Sequence, residues 1–284
     1  MLLRKKSLSF PGGFAVLMSV YRKDNHLLFF KAVASIFNNS LTPNQVIIVF
    51  DGPVDTSIEN VMKHFKSKFP RIIKHIRLKS NAGLANALNE GLMHIKYRWV
   101  VRADADDINL PNRFLILSKI INKNPKLDLI GSSILEIDSD NKILGYKHSP
   151  TTSKEIKKMI KLRSPFNHMT VAYKLESILK IGGYPNIFLK EDYGLWCKFV
   201  ANKMRFANTK RVLVHATAGN DMIKRRGGIK YAISEYQIQL LIIKLGLNDI
   251  FSSTLIGILR ATIFVSPFFV RKLIYVNLLR DNSS

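Results

Sequence analysis

Short apolar runs at residues 14–20, 46–50, 72–78 and 99–102 are separated by segments whose apolar residues recur at helical spacing. Phe29, Phe30, Val33, Ile36 and Phe37 fill the first separation, and Val61, Met62 and Phe65 fill the second. An Ala-, Leu- and Asn-rich helix over 83–95 fills the third. Strand and helix in strict alternation specify an α/β layer built on a mostly parallel sheet. In open sheets of this kind ligands bind at the carboxyl ends of the strands. Val20-Tyr21, Asp51, Asn81 and Asp104 each fall just after an apolar run, so the topology predicts that they share one edge.

Beyond residue 110 the pattern continues less regularly. Pro111 opens a helix, where its missing N–H does no harm, and Phe114, Leu117 and Ile121 give that helix a buried face. A strand is expected at 127–135, then a polar, basic stretch at 136–165 holding a hairpin and a Lys-rich helix near 156–160. Gly182-Gly183-Tyr184-Pro185 marks a loop, and Glu191-Asp192 opens a helix containing Trp196, Phe199 and Val200. A late strand at 205–215 and a long helix at 229–245 follow. The division expected is a domain at 1–228 and a helical extension at 229–284.

Net charge is +24, and residues 193–284 hold 14 basic against 4 acidic side chains. Such a balance implies an anionic partner. No nucleic-acid-binding signature accompanies it, so nucleic acid is not expected and an anionic membrane surface is favoured. The apolar stretch 251–270 carries Arg260 and Pro267, which makes it marginal as a bilayer span. With Arg271, Lys272 and Arg280 after it, it reads as a basic amphipathic segment in the membrane interface; a core helix with a frayed tail is the alternative. The basic first ten residues run into Pro11-Gly12-Gly13 without a long apolar core, unlike a signal peptide. A single cysteine, Cys197, excludes an internal disulfide framework and a Cys-rich zinc site, and fits a reducing compartment.

Residues 102–107 read Arg-Ala-Asp-Ala-Asp-Asp at the end of the fourth run. Carboxylates this close repel and raise one another's pKa, and a divalent cation held through oxygen reverses that penalty. Mg²⁺ or Mn²⁺ suits hard oxygen ligands.

In order along the chain stand Ser19-Val20-Tyr21, Asp51-Gly52, Asn81-Ala82-Gly83-Leu84, Asp104-Ala105-Asp106-Asp107, Glu191-Asp192 with Trp196, and Arg225-Arg226-Gly227. This series resembles the inverting family 2 glycosyltransferases of GT-A fold, in particular bacterial enzymes that build O-antigens and exopolysaccharides. The likeness covers about residues 14–230. It implies a Rossmann-like central sheet flanked by helices and a UDP-sugar donor. Val20 and Tyr21 would contact the uracil, Asp51 would accept a hydrogen bond from the base, and Asn81 and Gly83 would line the nucleotide pocket. Asp104 and Ala105 would sit at the donor, with Asp104 on the ribose or a metal-bound water. Asp106 would ligate the cation directly, and Asp107 would orient the cluster or meet the donor sugar. Arg225 and Arg226 would reach the diphosphate from a mobile loop between Gly219 and Gly227-Gly228. Asp192 is the candidate general base, positioned by Glu191; His168, Tyr184 and Trp196 would face the acceptor. His215 is a candidate third metal ligand, although Val214-His215-Ala216 departs from the aromatic-Arg pattern of relatives.

The activity implied is inverting transfer of galactose or glucose from a UDP-hexose to a polyprenyl-diphosphate-linked saccharide, giving a β-linkage. The place implied is the cytoplasmic face of the bacterial inner membrane, with the enzyme bound peripherally. Two other readings stand beside it. A nucleotidyltransferase would use similar carboxylates, but the Gly-rich triphosphate loop is missing. A non-enzymatic basic module for anionic polymer would not need Asp104, Asp106 or Asp192.

Overall fold

A computed structural model of the chain describes residues 9–279. Its elements in order are β1 (Phe14–Val20), α1 (His26–Phe37), β2 (Gln45–Phe50), α2 (Thr56–Lys68), β3 (Ile73–Arg77), α3 (Leu84–Met93) and β4 (Trp99–Arg102). Then come β5 (Ile108–Asn109), α4 (Arg113–Lys123), β6 (Leu129–Ile137), β7 (Ile143–Lys147), α5 (Ser153–Met159), a 3₁₀ turn at His168–Thr170, β8 (Ala172–Lys174) and α6 (Leu175–Lys180). The chain continues through α7 (Glu191–Ala201), β9 (Phe206–Thr217), α8 (Asn220–Arg225), α9 (Ile229–Lys244), α10 (Ile250–Val265) and α11 (Phe268–Leu279).

The strands form one sheet in the order β3-β2-β1-β4-β8-β6-β9-β5, with β7 hairpinned onto β6. The β3-β2-β1-β4 half is wholly parallel, as the alternating sequence requires. Antiparallel β8 joins it to the second half, where β6 and β9 again run parallel. This is the α/β, Rossmann-like architecture expected.

Both faces of the sheet are covered, which is why its inner strands read as unbroken apolar runs rather than alternating ones. In β1, Val16, Met18 and Val20 point into a core shared with α1, α2 and α4. Ala15 and Leu17 point the other way, into a core with α3, α7 and α9. Ile238 and Ile242 of α9 belong to that second core, so the segment expected as an extension packs against the domain before it.

Three local expectations change. Residues 220–225 form α8, where a mobile loop was expected. Strand β5 and helix α6 escaped the sequence reading because two and six residues are too few for a periodicity. The apolar stretch 251–270 breaks at Ser266-Pro267 into α10 and α11, since proline cannot donate the helical N–H and its ring crowds the preceding turn. Arg260, within that stretch, is tied to the domain. Its Nε stands 2.9 Å from the carboxylate of buried Glu235 in α9. Among the described residues no helix is long and apolar enough to cross a membrane. Arg280 lies outside the described residues.

Candidate active site

The carboxyl ends of β1 and β2 carry the first part of the site. Asp51, buried just past β2, accepts from the Ala82 N–H at 2.6 Å through Oδ1 and from the Gly83 N–H at 3.1 Å through Oδ2. The Asn81 amide closes the turn by donating to the Asp51 carbonyl at 3.2 Å. Asp51 thus shapes the Asn81–Gly83 turn itself. Gly52 holds φ +85°, and a Cβ there would lie 2.6 Å from the Asn81 nitrogen, so only glycine lets the two turns meet. Gly83, also at positive φ, opens α3 and has free space where a side chain would be. Tyr21, Asp51, Lys79 and Asn81 line one surface pocket. Val20 departs from expectation: its side chain is fully buried in the core, and it reaches this edge only through a carbonyl that accepts from Asp51 N–H at 2.8 Å.

Asp24 went unnoticed in the sequence. Its carboxylate accepts from the Tyr21 N–H at 2.9 Å. Burial pushes its pKa up to about 7, with the charges of Asp106 and Asp104 raising it further and Arg225 opposing. Asp24 therefore holds the Tyr21 backbone within electrostatic reach of the acidic cluster. A polar Asp-Asn pair placed between a strand end and the apolar stripe of α1 was the signal available.

Asp104, Asp106 and Asp107 converge so that one oxygen from each lies within 4.8 Å of the others. Burial, followed by the Asp104 charge, raises Asp106 to about 6. Asp107 is raised well above the usual carboxylate range, by burial and then by its acidic neighbours. Asp107 Oδ1 accepts from the Thr217 N–H at 2.7 Å, while its buried Oδ2 has no hydrogen-bond partner. Two fully buried guanidiniums support the cluster from below. Arg102 donates to Asp104 and to the Ala103 carbonyl; Arg113 donates to Asn109 and, at 2.8 Å, to the Arg102 carbonyl. Burial lowers Arg113 to about 9, with Asp107 opposing that shift. Ala105 is buried, so only its backbone belongs to the cluster's surface.

Three acidic side chains with an orphaned, buried carboxylate oxygen fit a divalent cation. The ion's ligands would come from this trio. His215 is not one of the group, although β5–β9 pairing sets it opposite Ile108, next to Asp107.

Asp192 opens a second cleft, of about 270 Å³, shared with Lys147, Arg163, His168, Arg226 and the walls of α10 and α11. It lies in the first turn of α7. Burial raises its pKa, while the Tyr193 N–H and the charges of Arg226, Lys147 and Lys190 hold it down. Glu191 is raised to about 7 by burial and by Asp192, and it also feels Arg102 and Asp104. Glu191, buried next to Asp192 in sequence, is thus within electrostatic reach of both Asp192 and Asp104.

Lys190, immediately before α7, forms a buried ion pair with Glu235 at 2.5 Å. Together with Arg260 this ties the start of α7 to α9 and α10.

The acceptor-side expectations divide. His168 lines the Asp192 cleft, and burial lowers its pKa well below the usual imidazole value, leaving it neutral. Trp196 is 0% exposed, packed on Phe166 and Phe199, and offers no face to a sugar. Tyr184 is also buried; its hydroxyl sits 3.1 Å from His168 Nε2 and 3.1 Å from the Tyr173 hydroxyl, so it acts on the cleft through His168. The arginine pair is split as well. Arg225 senses Asp24 and Asp106, whereas Arg226 lines the Asp192 cleft.

A parallel Rossmann-like half-sheet with an acidic trio at its carboxyl edge and a separate acidic helix start beside it defines a GT-A type glycosyltransferase. The chain belongs to glycosyltransferase family 2: the model described as "Glycosyl transferase family 2" matches residues 16–181. An uncharacterised glycosyltransferase of Haemophilus influenzae is 38% identical over 94% of this chain and 99% of its own length. The UDP-Gal:alpha-D-GlcNAc-diphosphoundecaprenol beta-1,3-galactosyltransferase of Escherichia coli is 40% identical over 80% of this chain and 82% of its own length. The amylovoran biosynthesis glycosyltransferase AmsE of Erwinia amylovora is 30% identical, covering 92% and 97% of the two chains. Among solved structures, S. aureus TarS residues 1–349 in complex with UDP-GlcNAc superimposes with a TM-score of 0.66 at 16% identity, covering 93% of this chain and 75% of that one. The mannosyltransferase PcManGT of Pyrobaculum calidifontis, with GDP-Man and Mn²⁺, gives 0.60 at 13% identity over 95% and 86%. The chain is a glycosyltransferase, and its bacterial relatives serve O-antigen and exopolysaccharide synthesis.

Proposed function

We propose that the protein transfers galactose, or else glucose, from the UDP-sugar to a saccharide on a polyprenyl diphosphate, with inversion to a β-linkage. The observation that carries this reading is the meeting of three carboxylates within 4.8 Å on one sheet edge, beside a helix that presents Asp192 to a separate cleft. The Escherichia coli relative named above, a UDP-Gal transferase to GlcNAc-diphosphoundecaprenol, favours galactose and that class of acceptor.

Asp106, with Asp104, would hold Mn²⁺ or Mg²⁺. Such an ion neutralises the charge developing on a departing diphosphate. Tyr21, Asp51 and Asn81 would seat the nucleotide, and Arg225 would add positive charge at the donor end of the acidic cluster. Asp192 would accept the proton of the acceptor hydroxyl as that oxygen bonds to the anomeric carbon and the bond to UDP breaks. A single displacement inverts the anomeric centre. Neutral His168 can hydrogen-bond an acceptor hydroxyl without repelling the cations around it. Glu191 would position Asp192.

The segment 229–284 would bring the domain of 1–228 to the cytoplasmic membrane face. Phe251, Leu255 and Leu259 of α10 and Phe269 and Leu273 of α11 are exposed apolar side chains, which supports surface binding. Transfer from UDP-galactose and UDP-glucose to synthetic GlcNAc-diphosphate-alkyl, with and without Mn²⁺, tests the reading, and NMR of the product reports the linkage. Asp106→Asn should lower transfer by at least about a hundredfold, the scale set by losing charge stabilisation of a leaving group. Undiminished transfer by this variant, or an α-linked product, would refute the assignment.

A further inference from the structure

The Asp192 cleft carries far more positive charge than catalysis by one carboxylate requires. Lys147, Arg163, Lys190, Arg226, Arg260 and Arg271 all line it, against the single acid Asp192. Half of these cations are already engaged. Lys190 and Arg260 share Glu235, and Arg271 donates to the carbonyls of Ser266 and Phe264. Among the described residues, the side chains of Lys147, Arg163 and Arg226 form neither a hydrogen bond nor an ion pair. They come from β7, from the turn after α5 and from the end of α8, so three distant parts of the chain converge on one space.

Concentrated like charge has a cost that shows in Lys147. Burial lowers its pKa to about 8, and Arg226 and Arg163 depress it further against the opposing pull of Glu136 and Asp192. Asp192 and Glu136 offset part of this charge, and an anion entering the cleft would offset more of it. Guanidinium forks and an ammonium match the oxygens of a phosphate ester. Besides Arg260 and Arg271, α10 and α11 supply apolar lining: Ile263 and Phe264 of α10 and Ile274 of α11. The same two helices expose Leu259, Phe269 and Leu273 outward. An occupant with a phosphate head and a hydrocarbon tail satisfies both the cations and the apolar lining.

Resting on the reading of the acceptor as lipid-linked, we infer that Lys147, Arg163 and Arg226 form a cradle for the acceptor's own diphosphate, separate from the donor's diphosphate site at the acidic cluster. The cradle fixes the lipid end of the acceptor, so that its sugar lies toward Asp192 and its hydrocarbon runs along α10 and α11. Arg226, which the sequence suggested for the donor, is thereby an acceptor residue. The donor and acceptor diphosphates are held by different cations of one adjacent pair, Arg225 and Arg226.

Equilibrium binding by calorimetry, in the absence of donor, tests this on the full chain with three probes: inorganic pyrophosphate, undecyl diphosphate and UDP. Undecyl diphosphate should bind more tightly than pyrophosphate, because only the former meets the apolar lining. Arg163→Gln and Arg226→Gln should each weaken undecyl diphosphate by about ten- to a hundredfold, the range for one charge-assisted contact, and leave UDP unchanged. Arg163→Lys should retain most of the binding, and thermal melts of all variants confirm folding. Unchanged undecyl diphosphate binding in both Gln variants, or weakened UDP binding in Arg226→Gln, overturns the cradle. Equal affinity for pyrophosphate and undecyl diphosphate overturns the lipid part. Since no turnover is measured, a protein that binds undecyl diphosphate through these residues yet transfers no hexose upholds the cradle and refutes the proposed reaction instead.

Discussion

Single residues decide where charge sits. Asp192 is a buried carboxylate with its pKa raised by desolvation and restrained by Arg226, Lys147 and Lys190. A base must be deprotonated to act, so the acid limb of kcat/KM should lie above the range of an ordinary carboxylate. Arg226→Gln removes a cation that favours the charged form, so it should move that limb to higher pH. A pH–rate profile that moves to lower pH, or not at all, would remove Asp192 from the base role. Gly52 is a second point of control. Gly52→Ala forces a Cβ against the Asn81 backbone at positive φ, and denaturant unfolding should report a loss of about 1–3 kcal/mol. Because the same turn lines the pocket proposed for the nucleotide, KM for the UDP-sugar should rise in parallel.

At the scale of elements, the legible parts were those with a long period. β1 through β4 and their helices lie within a residue or two of where apolar spacing put them, and α7 begins at Glu191 as its acidic start suggested. Short pieces are not legible, and α8 reads as a loop because its Gly-flanked, basic sequence carries no apolar stripe. The attachment of α9 and α10 to α7 could not be read either, since Lys190, Glu235 and Arg260 are separated by many residues and pair only in the fold. Glu235 is kept ionised by this pairing against its own burial. Glu235→Ala leaves Lys190 and Arg260 without their carboxylate, and should cost about 3–5 kcal/mol of stability by denaturant titration. Glycosyl transfer should fall as well, since the first turn of α7 loses its tether. Unchanged stability would mean that the C-terminal helices do not brace the site.

For the whole molecule, a net positive charge of +24 accompanies exposed apolar side chains on α10 and α11. Phe251 is 85% exposed, and Leu255, Ile258 and Leu259 accompany it on α10. Binding to anionic vesicles should therefore weaken with salt, because the electrostatic part is screened, yet retain an apolar component. Phe251→Asp with Leu255→Asp should lower vesicle partitioning by about tenfold or more in sedimentation, with little change in melting temperature. Full retention of vesicle binding would exclude this face as the membrane contact. Two apolar cores, one on each side of the sheet, explain how such a surface is tolerated: the fold does not depend on burying it.

Sequence alone determined the parallel half-sheet, the edge on which Asp51, Asn81 and the 104–107 acids fall, and the family, because strand period and strand-end position are local properties that propagate through a regular sheet. Only the tertiary structure decided which side chains share a space. It buried Val20, Trp196 and Tyr184, set Arg225 within electrostatic reach of Asp24 and Asp106, and placed Arg226 in the Asp192 cleft. It also slid Arg102 and Arg113 beneath the acidic trio. Those outcomes depend on how non-adjacent elements pack, and neither hydrophobic spacing nor motif order encodes the direction in which a side chain finally points.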